Sequence, residues 1–415
     1  MKINYKLPTP SEERIAMHVK PAAERALRKG HPWLFEEAIQ RQNREGQAGD
    51  LAVIFDRKDR FLAIGLYDPR SPIRVRVLQN NDPATIDQPW FQQRFLEASQ
   101  LRGSLPETGT SGYRMVHGEN DGLPGLVVDR YNRNYVIKLD TAAWIPRLAD
   151  VLPALLSVVK AQRLILRLSR SAQSIAKRDA DLSDGAVLAG APLEEPVLFE
   201  ENGLNFEADL IHGQKTGFFF DQRENRAILE RIIAGSKNID TLLNVFAYTG
   251  GFSLYAARAG ARKITSLDSS RPALDMATKN FELNKNIKSI STSIHSLAYG
   301  DAFQMLEKYG AEGRRFDSVV IDPPSFAKRQ SEADQALKAY RWLTRLGLSV
   351  LRPGGLLVMS SCSSRVGAEE FFTEINRVAS RNDRPLSELT STGHALDHPV
   401  NFSQGAYLKC LFAIA

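Results

Sequence analysis

The amino-acid sequence predicts an α/β protein in which a β-rich N-terminal domain and a central α+β domain precede a mostly parallel sheet with helices on both faces. Two patterns predict this fold class. Short apolar runs separated by turns fill the chain before residue 80, and strand-like runs alternate with helix-like runs after residue 199. Because each helix in such an alternation crosses over the sheet, successive strands run parallel. The 415 residues suffice for roughly two to three domains.

The first two predicted domains differ in pattern. Residues 1–80 read as a small barrel or sandwich, with strands predicted at 51–55, 61–65 and 73–77. Residues 81–198 read as an α+β domain that ends in a polar, loop-rich linker, with helices predicted at 90–101 and 146–159 and the linker at 169–196.

The third predicted domain, residues 199–415, carries the alternation that predicts the parallel sheet. Its strands are predicted at 242–246, 264–267, 318–321 and 356–360, and helices between them at 271–283 and 334–351.

Composition excludes several classes of protein. Hydrophobic residues make up 43% and charged residues 25% of the chain, as in ordinary globular proteins. No apolar run approaches the roughly 18 residues of a membrane helix, and residues 1–10 lack the apolar core of a signal peptide. Two cysteines, Cys362 and Cys410, exclude a disulfide framework and a cysteine-rich zinc site, and the histidines lack metal-ligand spacing. We therefore expect a cytoplasmic protein without a metal.

Charge is uneven along the chain. The formal net charge is +6, and residues 1–80 hold 15 basic and 10 acidic residues, a net of +5. A basic N-terminal domain permits a polyanionic partner such as nucleic acid but does not establish one, since many basic proteins bind no polyanion.

A glycine turn follows the first predicted strand of the third domain. Residues 243–252 read Leu-Asn-Val-Phe-Ala-Tyr-Thr-Gly-Gly-Phe, so a strand ends and a helix begins near Gly250. Glycine lets a ligand approach the backbone, and the helix start offers free N–H groups. Asp268, at the end of the next predicted strand, can accept both ribose hydroxyls of a nucleoside. Because the three-glycine dinucleotide pattern is absent, S-adenosylmethionine fits better than NAD; the alternative is a tight turn without a ligand.

Two further acidic motifs follow predicted strands. Asp301 with Ala302 comes after the third strand, where a carboxylate can bond an adenine amino group or simply cap the helix that follows. Asp322 ends a buried strand and precedes Pro323 and Pro324, which remove N–H donors and hold the turn extended. Open α/β sheets bind ligands at this carboxyl edge, so the Asp-Pro-Pro segment predicts a ligand contact rather than a plain turn.

Cys362 follows the next predicted strand at the same edge of the sheet. A lone cysteine is usually a small buried hydrophobe, but beside the Asp-Pro-Pro segment it is a candidate nucleophile. Cys410 lies within a late strand pattern and is predicted to be structural. Upstream of the glycine turn, Lys215 and Arg223 suit phosphate or carboxylate contacts, whereas the aromatic run 218–220 is more typical of a core than of a base-stacking platform.

These motifs resemble those of the RlmI-type cytosine carbon-5 methyltransferases of bacterial 23S ribosomal RNA, a class I S-adenosylmethionine-dependent family. The resemblance extends over nearly the whole chain and rests on segments 28–35, 65–76, 113–125, 212–223, 244–252, 322–326, 361–363, 397–399 and 407–409. It implies that residues 1–80 form a PUA domain, an RNA-binding pseudo-barrel, and that residues 199–415 form a Rossmann-like methyltransferase domain with a seven-stranded sheet.

The resemblance also implies S-adenosyl-L-methionine as cofactor and 23S rRNA, or the assembling large ribosomal subunit, as partner of a homodimer with no membrane association. The positions that match the family's cofactor contacts are Phe246, Tyr248, Thr249, Gly250, Asp268, Asp301, Ala302, Asp322 and Pro323. The positions expected to contact substrate are Lys215, Arg223, Pro324, Ser325 and Phe326.

In the mechanism that the resemblance implies, the Cys362 thiolate attacks carbon 6 of a cytosine and thereby makes carbon 5 nucleophilic. Asp322 would hold the base edge, at ring nitrogen 3 if protonated or at the exocyclic amine if ionised. Position 325 is serine where better-known RNA cytosine methyltransferases carry a second cysteine, which leaves open the group that takes the carbon-5 proton. Residues 160–190 match the family only loosely.

Three other functions compete with this interpretation. A guanine-directed rRNA methyltransferase would share the Tyr-Thr-Gly turn and the Asp-Pro-Pro segment, but related enzymes of that kind lack the cysteine. A non-catalytic RNA-binding assembly factor would not need Cys362 or Asp268, and a small-molecule methyltransferase would not need the PUA-like domain.

Overall fold

The chain folds as two units over residues 1–327 and 329–415, the part that the computed structural model describes. The N-terminal unit comprises Met1–Gly203, Ala208–Phe220 and Leu396–Phe402, and the C-terminal unit comprises Leu204–Glu207, Asp221–Ala395 and Ser403–Ala415. The sequence predicts residues 208–220 and 396–402 within the third domain, but their contacts group them with the first unit. No described helix is long and apolar enough to span a bilayer.

The first sheet of the N-terminal unit has six strands in the order β2-β6-β5-β4-β1-β3. Only β1 and β4 pair in parallel. Alternate residues of β1, Ile15, Met17 and Val19, are buried, as expected for a strand with one face on a core. The elements are β1 (Arg14–Val19), α1 (Pro21–Arg28), β2 (Trp33–Phe35), β3 (Ile39–Gln42), β4 (Leu51–Phe55), β5 (Phe61–Tyr67) and β6 (Ile73–Asn80).

The second sheet of this unit has five strands in the order β11-β10-β9-β8-β7, with β9 and β10 parallel. The elements are α2 (Gln88–Leu101), β7 (Gly112–His117), β8 (Leu126–Tyr131), β9 (Asn134–Leu139), α3 (Leu148–Val158), β10 (Arg163–Leu168), α4 (Arg170–Ala180) and β11 (Val187–Ala189). Strand β12 (Val197–Glu201) follows in this unit, and β13 (Leu204–Ala208) begins with the four residues assigned to the C-terminal unit.

The prediction of a loop-rich stretch at 169–196 was wrong for its first half. Helix α4 occupies Arg170–Ala180, and its buried residues are Ala172, Ile175 and Ala176. They lie three and four positions apart and so share one helix face. That apolar stripe is narrow, and two of its three residues are alanines. Because most residues of the segment are polar, its sequence resembles that of a loop.

The C-terminal unit is built on a seven-stranded sheet in the order β16-β15-β14-β17-β18-β20-β19. The predicted mostly parallel sheet is confirmed: β14 to β18 run parallel, and β19 and β20 are antiparallel additions. The strands are β14 (Thr241–Val245), β15 (Lys263–Asp268), β16 (Ile294–Tyr299), β17 (Phe316–Ile321), β18 (Leu351–Ser361), β19 (Ser387–Thr392) and β20 (Lys409–Ile414).

Helices connect these strands and carry the apolar faces that bury the sheet. The helices are α5 (Arg223–Gly235), α6 (Gly251–Arg258), α7 (Arg271–Leu283), α8 (Lys288–Ser291), α9 (Ala302–Ala311), α10 (Ala333–Val350) and α11 (Ala368–Arg381). Strand β17 is buried along its whole length, as expected for a central parallel strand. The strand order reverses between β14 and β17, and such a switch point opens a crevice at the carboxyl ends of the strands.

A buried charge network ties the C-terminal segment Leu396–Phe402 to the rest of the N-terminal unit. Arg102 donates to both carboxylate oxygens of Asp121, at 2.8 and 2.7 Å, and to the carbonyl oxygen of Asp397. Asp397 also accepts from the backbone N–H of Arg114, whose guanidinium pairs with Asp129. Buried charges are tolerated only when paired in this way.

Replacing Arg102 by methionine should destabilise the N-terminal unit by about 3–5 kcal/mol, because it leaves the Asp121 carboxylate buried without its cation. Both side chains are almost fully buried, with exposures of 0% and 3%. Urea denaturation followed by tryptophan fluorescence would measure the loss. The control Lys177→Met removes an exposed helix pair with Asp181 and should change stability by less than about 0.5 kcal/mol. Equal effects of the two variants would contradict the prediction.

Candidate functional site

The turn after β14 has an unusual backbone. Phe246, Tyr248 and Gly250 have φ values of +61°, +48° and +77°, in the left-handed region that L side chains seldom adopt. A Cβ atom on Gly250 would lie 2.9 Å from the Cβ of Ala277, so only glycine fits there. Non-glycine residues at positive φ are costly, and such strain collects at binding sites.

Asp268, the last residue of β15, forms a hydrogen bond that stabilises this turn. Its Oδ2 accepts the backbone N–H of Tyr248 and its Oδ1 that of Ser270, both at 2.8 Å. Each carboxylate oxygen has a second lone pair for a ligand hydroxyl. The predicted partners of a nucleoside, the glycine turn and Asp268, are therefore brought together.

A polar atom in the same turn lacks a partner. The Oγ1 of Thr249 is buried and has no hydrogen-bond partner among the described residues. Buried hydroxyls are normally satisfied, so an unsatisfied one next to a strained turn indicates a position completed by a bound polar ligand.

Beneath the turn, a chain of buried side-chain hydrogen bonds links three strands and α6. Asn244 donates to the Oγ of Ser253, which lies 2.7 Å from the Oγ of Ser266, which in turn lies 2.9 Å from Nε2 of His295. The imidazole of His295 stacks on Phe281 with ring centroids 3.8 Å apart. Burial lowers the pKa of His295 to about 4.

Asp301 acts as the N-cap of α9. Its Oδ1 accepts the backbone N–H groups of Phe303 and Gln304 at 3.0 and 3.1 Å. Asp301 therefore caps the helix, which was one of the two roles predicted for this motif. Asp301 is exposed, and Ala302 is buried. Contact of Asp301 and Ala302 with a cofactor stays a prediction.

Asp322 is held by a glutamine that the sequence analysis passed over. Nε2 of Gln222 donates to Oδ1 of Asp322 at 2.9 Å and to Oγ of Ser360 at 2.8 Å. Oε1 of Gln222 accepts from Nδ2 of Asn225, and Oδ1 of Asn225 accepts from Thr392. Since both ends of the Gln222 amide are occupied, its orientation is fixed, and its Nε2 holds one oxygen of the Asp322 carboxylate.

Cys362 lies one residue beyond β18 and is half-buried. Its Sγ contacts the carbonyl oxygen of Pro323 at 3.8 Å, which places the thiol against the Asp-Pro-Pro segment. Next to it, the Oγ of Ser361 lies 2.8 Å from the hydroxyl of Tyr340, and burial raises the pKa of that phenol above its usual range. The structure therefore brings the two predicted catalytic residues, Asp322 and Cys362, to neighbouring strand ends.

Cys410 is fully buried in β20, and burial raises the pKa of its thiol well above the usual value. This agrees with the structural role predicted for it. Beside it, Lys409 is buried as well, and burial lowers the pKa of its ammonium to about 8.

The residues predicted to contact substrate lie in different environments. Lys215 is exposed, and its Nζ lies 4.2 Å from the ring centroid of Phe219 within the N-terminal unit. In the C-terminal unit, the side chain of Arg223 is only 2% exposed and pairs with Glu224.

Pro324 and Ser325 are exposed, whereas Phe326 is half-buried. The ring of Phe326 packs edge-on against Tyr340 with centroids 5.3 Å apart. Substrate contact by these five residues stays a prediction.

Two residues of the site were missed because their sequence signals were weak. Gln222 precedes Arg223 in a motif whose charged residues carry the clearest signal. Its own role depends on side chains that are distant in sequence. Lys409 was noted only as part of a motif, because a lysine within a strand pattern is normally exposed.

Comparison with known proteins adds independent findings. Residues 17–80 match a PUA-like domain, and residues 170–386 match an S-adenosylmethionine-dependent methyltransferase. A ribosomal RNA large subunit methyltransferase of Deinococcus radiodurans is 45% identical over 412 residues, which is 98% of each chain. Ribosomal RNA large subunit methyltransferase I of Pseudoalteromonas translucida is 34% identical over 399 residues, covering 95% of this chain and 98% of the relative.

Solved structures show the same fold. A Streptococcus mutans protein described as an S-adenosylmethionine-dependent methyltransferase has a TM-score of 0.80 at 23% identity, covering 96% of this chain and 100% of that chain. A methyltransferase complexed with SAH gives 0.80 at 22% identity, covering 97% and 100%.

Stability of the C-terminal unit should fall as the pH drops from about 6.5 towards 4. The unfolded chain binds a proton at His295 near its ordinary pKa of 6.5, whereas the folded protein resists it down to about 4. Protons therefore favour the unfolded state across this range, by about 2 kcal/mol. Urea denaturation at pH 7 and pH 4.5 would measure this loss, which His295→Gln should reduce and His212→Gln, at an exposed position, should not. An identical pH dependence in all three proteins would contradict the assignment.

Proposed function

Because the chain belongs to the S-adenosylmethionine-dependent ribosomal RNA large subunit methyltransferases, of the RlmI type, we propose that it methylates carbon 5 of a cytosine in 23S rRNA through a covalent bond to Cys362. The observation that carries the proposal is the contact of the Cys362 thiol with the Asp-Pro-Pro segment at the carboxyl edge of the sheet. A buried packing cysteine, as Cys410 is, would not sit half-exposed beside a fixed carboxylate.

S-adenosylmethionine supplies a methyl group activated on a sulfonium. The described residues fit it: Gly250 has no side chain to obstruct a ligand at the turn, Asp268 offers carboxylate lone pairs to ribose hydroxyls, and Thr249 has an unsatisfied buried hydroxyl. Asp322 and Pro323 belong to the same edge of the sheet. They therefore lie between the residues proposed to bind the cofactor and those proposed to bind the target base.

Cys362 supplies the nucleophile for the reaction at the base. The Cys362 thiolate forms a bond to carbon 6 of the cytosine, so that electron density moves to carbon 5 and allows it to accept the methyl group. A base removes the proton from carbon 5, the bond between sulfur and carbon 6 breaks, and the thiolate is regenerated. The contact with the carbonyl oxygen of Pro323 helps to position the thiol.

Asp322 acts on the Watson–Crick edge of the same base. Nε2 of Gln222 donates to Oδ1 of Asp322, which suits the ionised carboxylate. An ionised Asp322 accepts a hydrogen bond from the exocyclic amine of cytosine, which is the second of the two alternatives for this residue. Base recognition of this kind requires the target nucleotide to leave its stack.

The remaining proposals concern partners. The PUA-like residues 17–80 bind rRNA and position it rather than take part in the chemistry. The substrate is 23S rRNA or the assembling large subunit, in the cytoplasm, and the family resemblance underlies the proposal of a homodimer. The guanine-directed alternative keeps the Asp-Pro-Pro contacts but gives Cys362 no chemical role.

Incubation of unmodified large-subunit rRNA with the protein and labelled S-adenosylmethionine should produce labelled 5-methylcytidine, measured by nucleoside mass spectrometry. Cys362→Ala should lower this product by at least about a thousandfold, since the covalent step is lost. Cys410→Ala removes the buried thiol instead and should leave the product within about threefold of wild type.

Label in a methylguanosine would contradict the cytosine proposal and return Cys362 to a packing role. RNA binding without any methyl transfer by the intact protein would favour an assembly factor.

Asp268→Asn should weaken S-adenosylmethionine binding by about tenfold to a hundredfold, because the neutral amide accepts ribose hydroxyls less strongly and disturbs the Tyr248 turn. Isothermal titration calorimetry would measure the dissociation constant. Asp275→Asn, at an exposed position on α7, is the matched control and should bind as the wild type does. Unchanged affinity in Asp268→Asn would show that the cofactor lies elsewhere.

A further inference from the structure

Lys409 is a buried lysine to which the proposed reaction assigns no role. It opens β20, lies opposite Ser361 in the antiparallel pairing with β18, and is only 4% exposed. Lysines are seldom buried because removing an ammonium group from water is costly. Its burial next to the strand end that carries Cys362 therefore calls for a compensating arrangement.

The compensation comes from backbone carbonyl groups. Nζ of Lys409 donates to the carbonyl oxygens of Ser363 and Val366, the latter at 2.7 Å, and to that of Tyr407 at 3.2 Å. An ammonium group has three protons, so its donor capacity is fully used. Among the described residues, no carboxylate forms an ion pair with Lys409. The positive charge is therefore not neutralised by a neighbouring acid.

Two of these carbonyls belong to the turn of residues 363–366, which directly follows Cys362. The carbonyl oxygen of Ser363 also accepts the backbone N–H of Val366, which closes the turn, and Ser363 donates through Oγ to Ala327. Lys409 thus clamps the turn through these carbonyl oxygens. On the other side of Cys362, the hydrogen bond between Ser361 and Tyr340 holds the end of β18.

In the part of the chain that the structure describes, ionisable groups near Cys362 lie on or directly after three elements. Lys409 lies on β20, Tyr340 lies on α10, and Asp322 follows β17 beside the carbonyl that Cys362 contacts. Tyr340 is neutral because burial raises the pKa of its phenol, and the buried thiol of Cys410 is neutral for the same reason. Lys409 is a buried cation among the described residues, and its Nζ donates to the carbonyl oxygen of Ser363, the residue that follows Cys362.

We propose that Lys409 is a positioning residue that clamps the Cys362 turn and, through its buried ammonium charge, favours the thiolate form of Cys362. The inference rests on the proposed role of Cys362 as nucleophile. A nearby cation stabilises a thiolate both before it attacks carbon 6 and when the sulfur–carbon bond breaks to release it. No new co-reactant is needed, since Lys409 gives no proton to the reacting base.

Alkylation of the full-length protein by iodoacetamide between pH 6 and 10, read by peptide mass spectrometry, tests the charge directly. Cys362 is half-exposed and Cys410 is fully buried, so the modified peptide reports on Cys362. Lys409→Gln retains an amide donor for the carbonyls but removes the charge, and Lys409→Met removes both. Lys338→Met, on the exposed face of α10, is the matched control.

We expect the midpoint of the alkylation profile to rise by about one pH unit in Lys409→Gln, so that the rate at pH 7 falls about tenfold. Lys338→Met should superimpose on wild type. Superimposed profiles of wild type and Lys409→Gln, with unchanged circular dichroism, would overturn the inference. If Lys409→Met does not fold, Lys409→Gln alone decides the question.

This assay contains neither RNA nor cofactor, so its outcome is independent of which base is methylated. A raised midpoint supports the inference even if rRNA receives no 5-methylcytidine, and an unchanged midpoint overturns it even if 5-methylcytidine forms.

If both proposals hold, Lys409→Gln lowers kcat about tenfold at pH 7 with unchanged KM for rRNA. The loss shrinks as the pH rises, because more thiolate then forms without the cation. Lys409→Arg, which restores the charge, should recover part of kcat. A purely structural role would lower kcat equally at every pH, and that result would overturn the electrostatic part of the inference.

Discussion

The site depends on the register of three neighbouring parallel strands. β14, β17 and β18 pair so that Val245, Ile321 and Met359 lie side by side. From that row the strands end at one edge of the sheet, and the glycine turn, Asp322 and Cys362 follow within a few residues. A slip of one residue would turn the strand side chains to the opposite face and bury the polar groups. The apolar packing that fixes the register therefore also fixes the spacing of the chemical groups.

Below this edge, buried polar side chains hold the functional groups in place. Gln222 fixes the Asp322 carboxylate, Lys409 clamps the turn after Cys362, and Asp268 closes the turn after β14. Each of these contacts joins segments far apart in the chain. Such contacts hold the groups in place before substrate binds. Preorganisation of this kind accounts for much of the rate enhancement of enzymes.

Local patterns predicted much of this fold. Helix α7 was predicted at its observed limits and β4 likewise, because buried strands and amphipathic helices have clear periodicities. Helix α4 was missed because its apolar stripe is narrow. The grouping of Leu396–Phe402 with the N-terminal unit depends on long-range contacts, such as those of Asp397 with Arg114 and of Asn401 with Asn120. Strand-end motifs indicated Asp322 and Cys362. Gln222 and Lys409 could not be predicted, because their partners come together only in the folded chain.

The central claim is that Cys362 bonds covalently to a cytosine. An rRNA transcript made with 5-fluorocytidine in place of cytidine tests it most directly, because the fluorine replaces the proton that must leave carbon 5 and so blocks release of the enzyme. The account predicts a protein–RNA adduct that withstands denaturation, depends on S-adenosylmethionine, and maps to the peptide containing Cys362. An enzyme that methylates ordinary rRNA but forms no adduct with the fluorinated transcript, or that forms one equally well as Cys362→Ala, would contradict it.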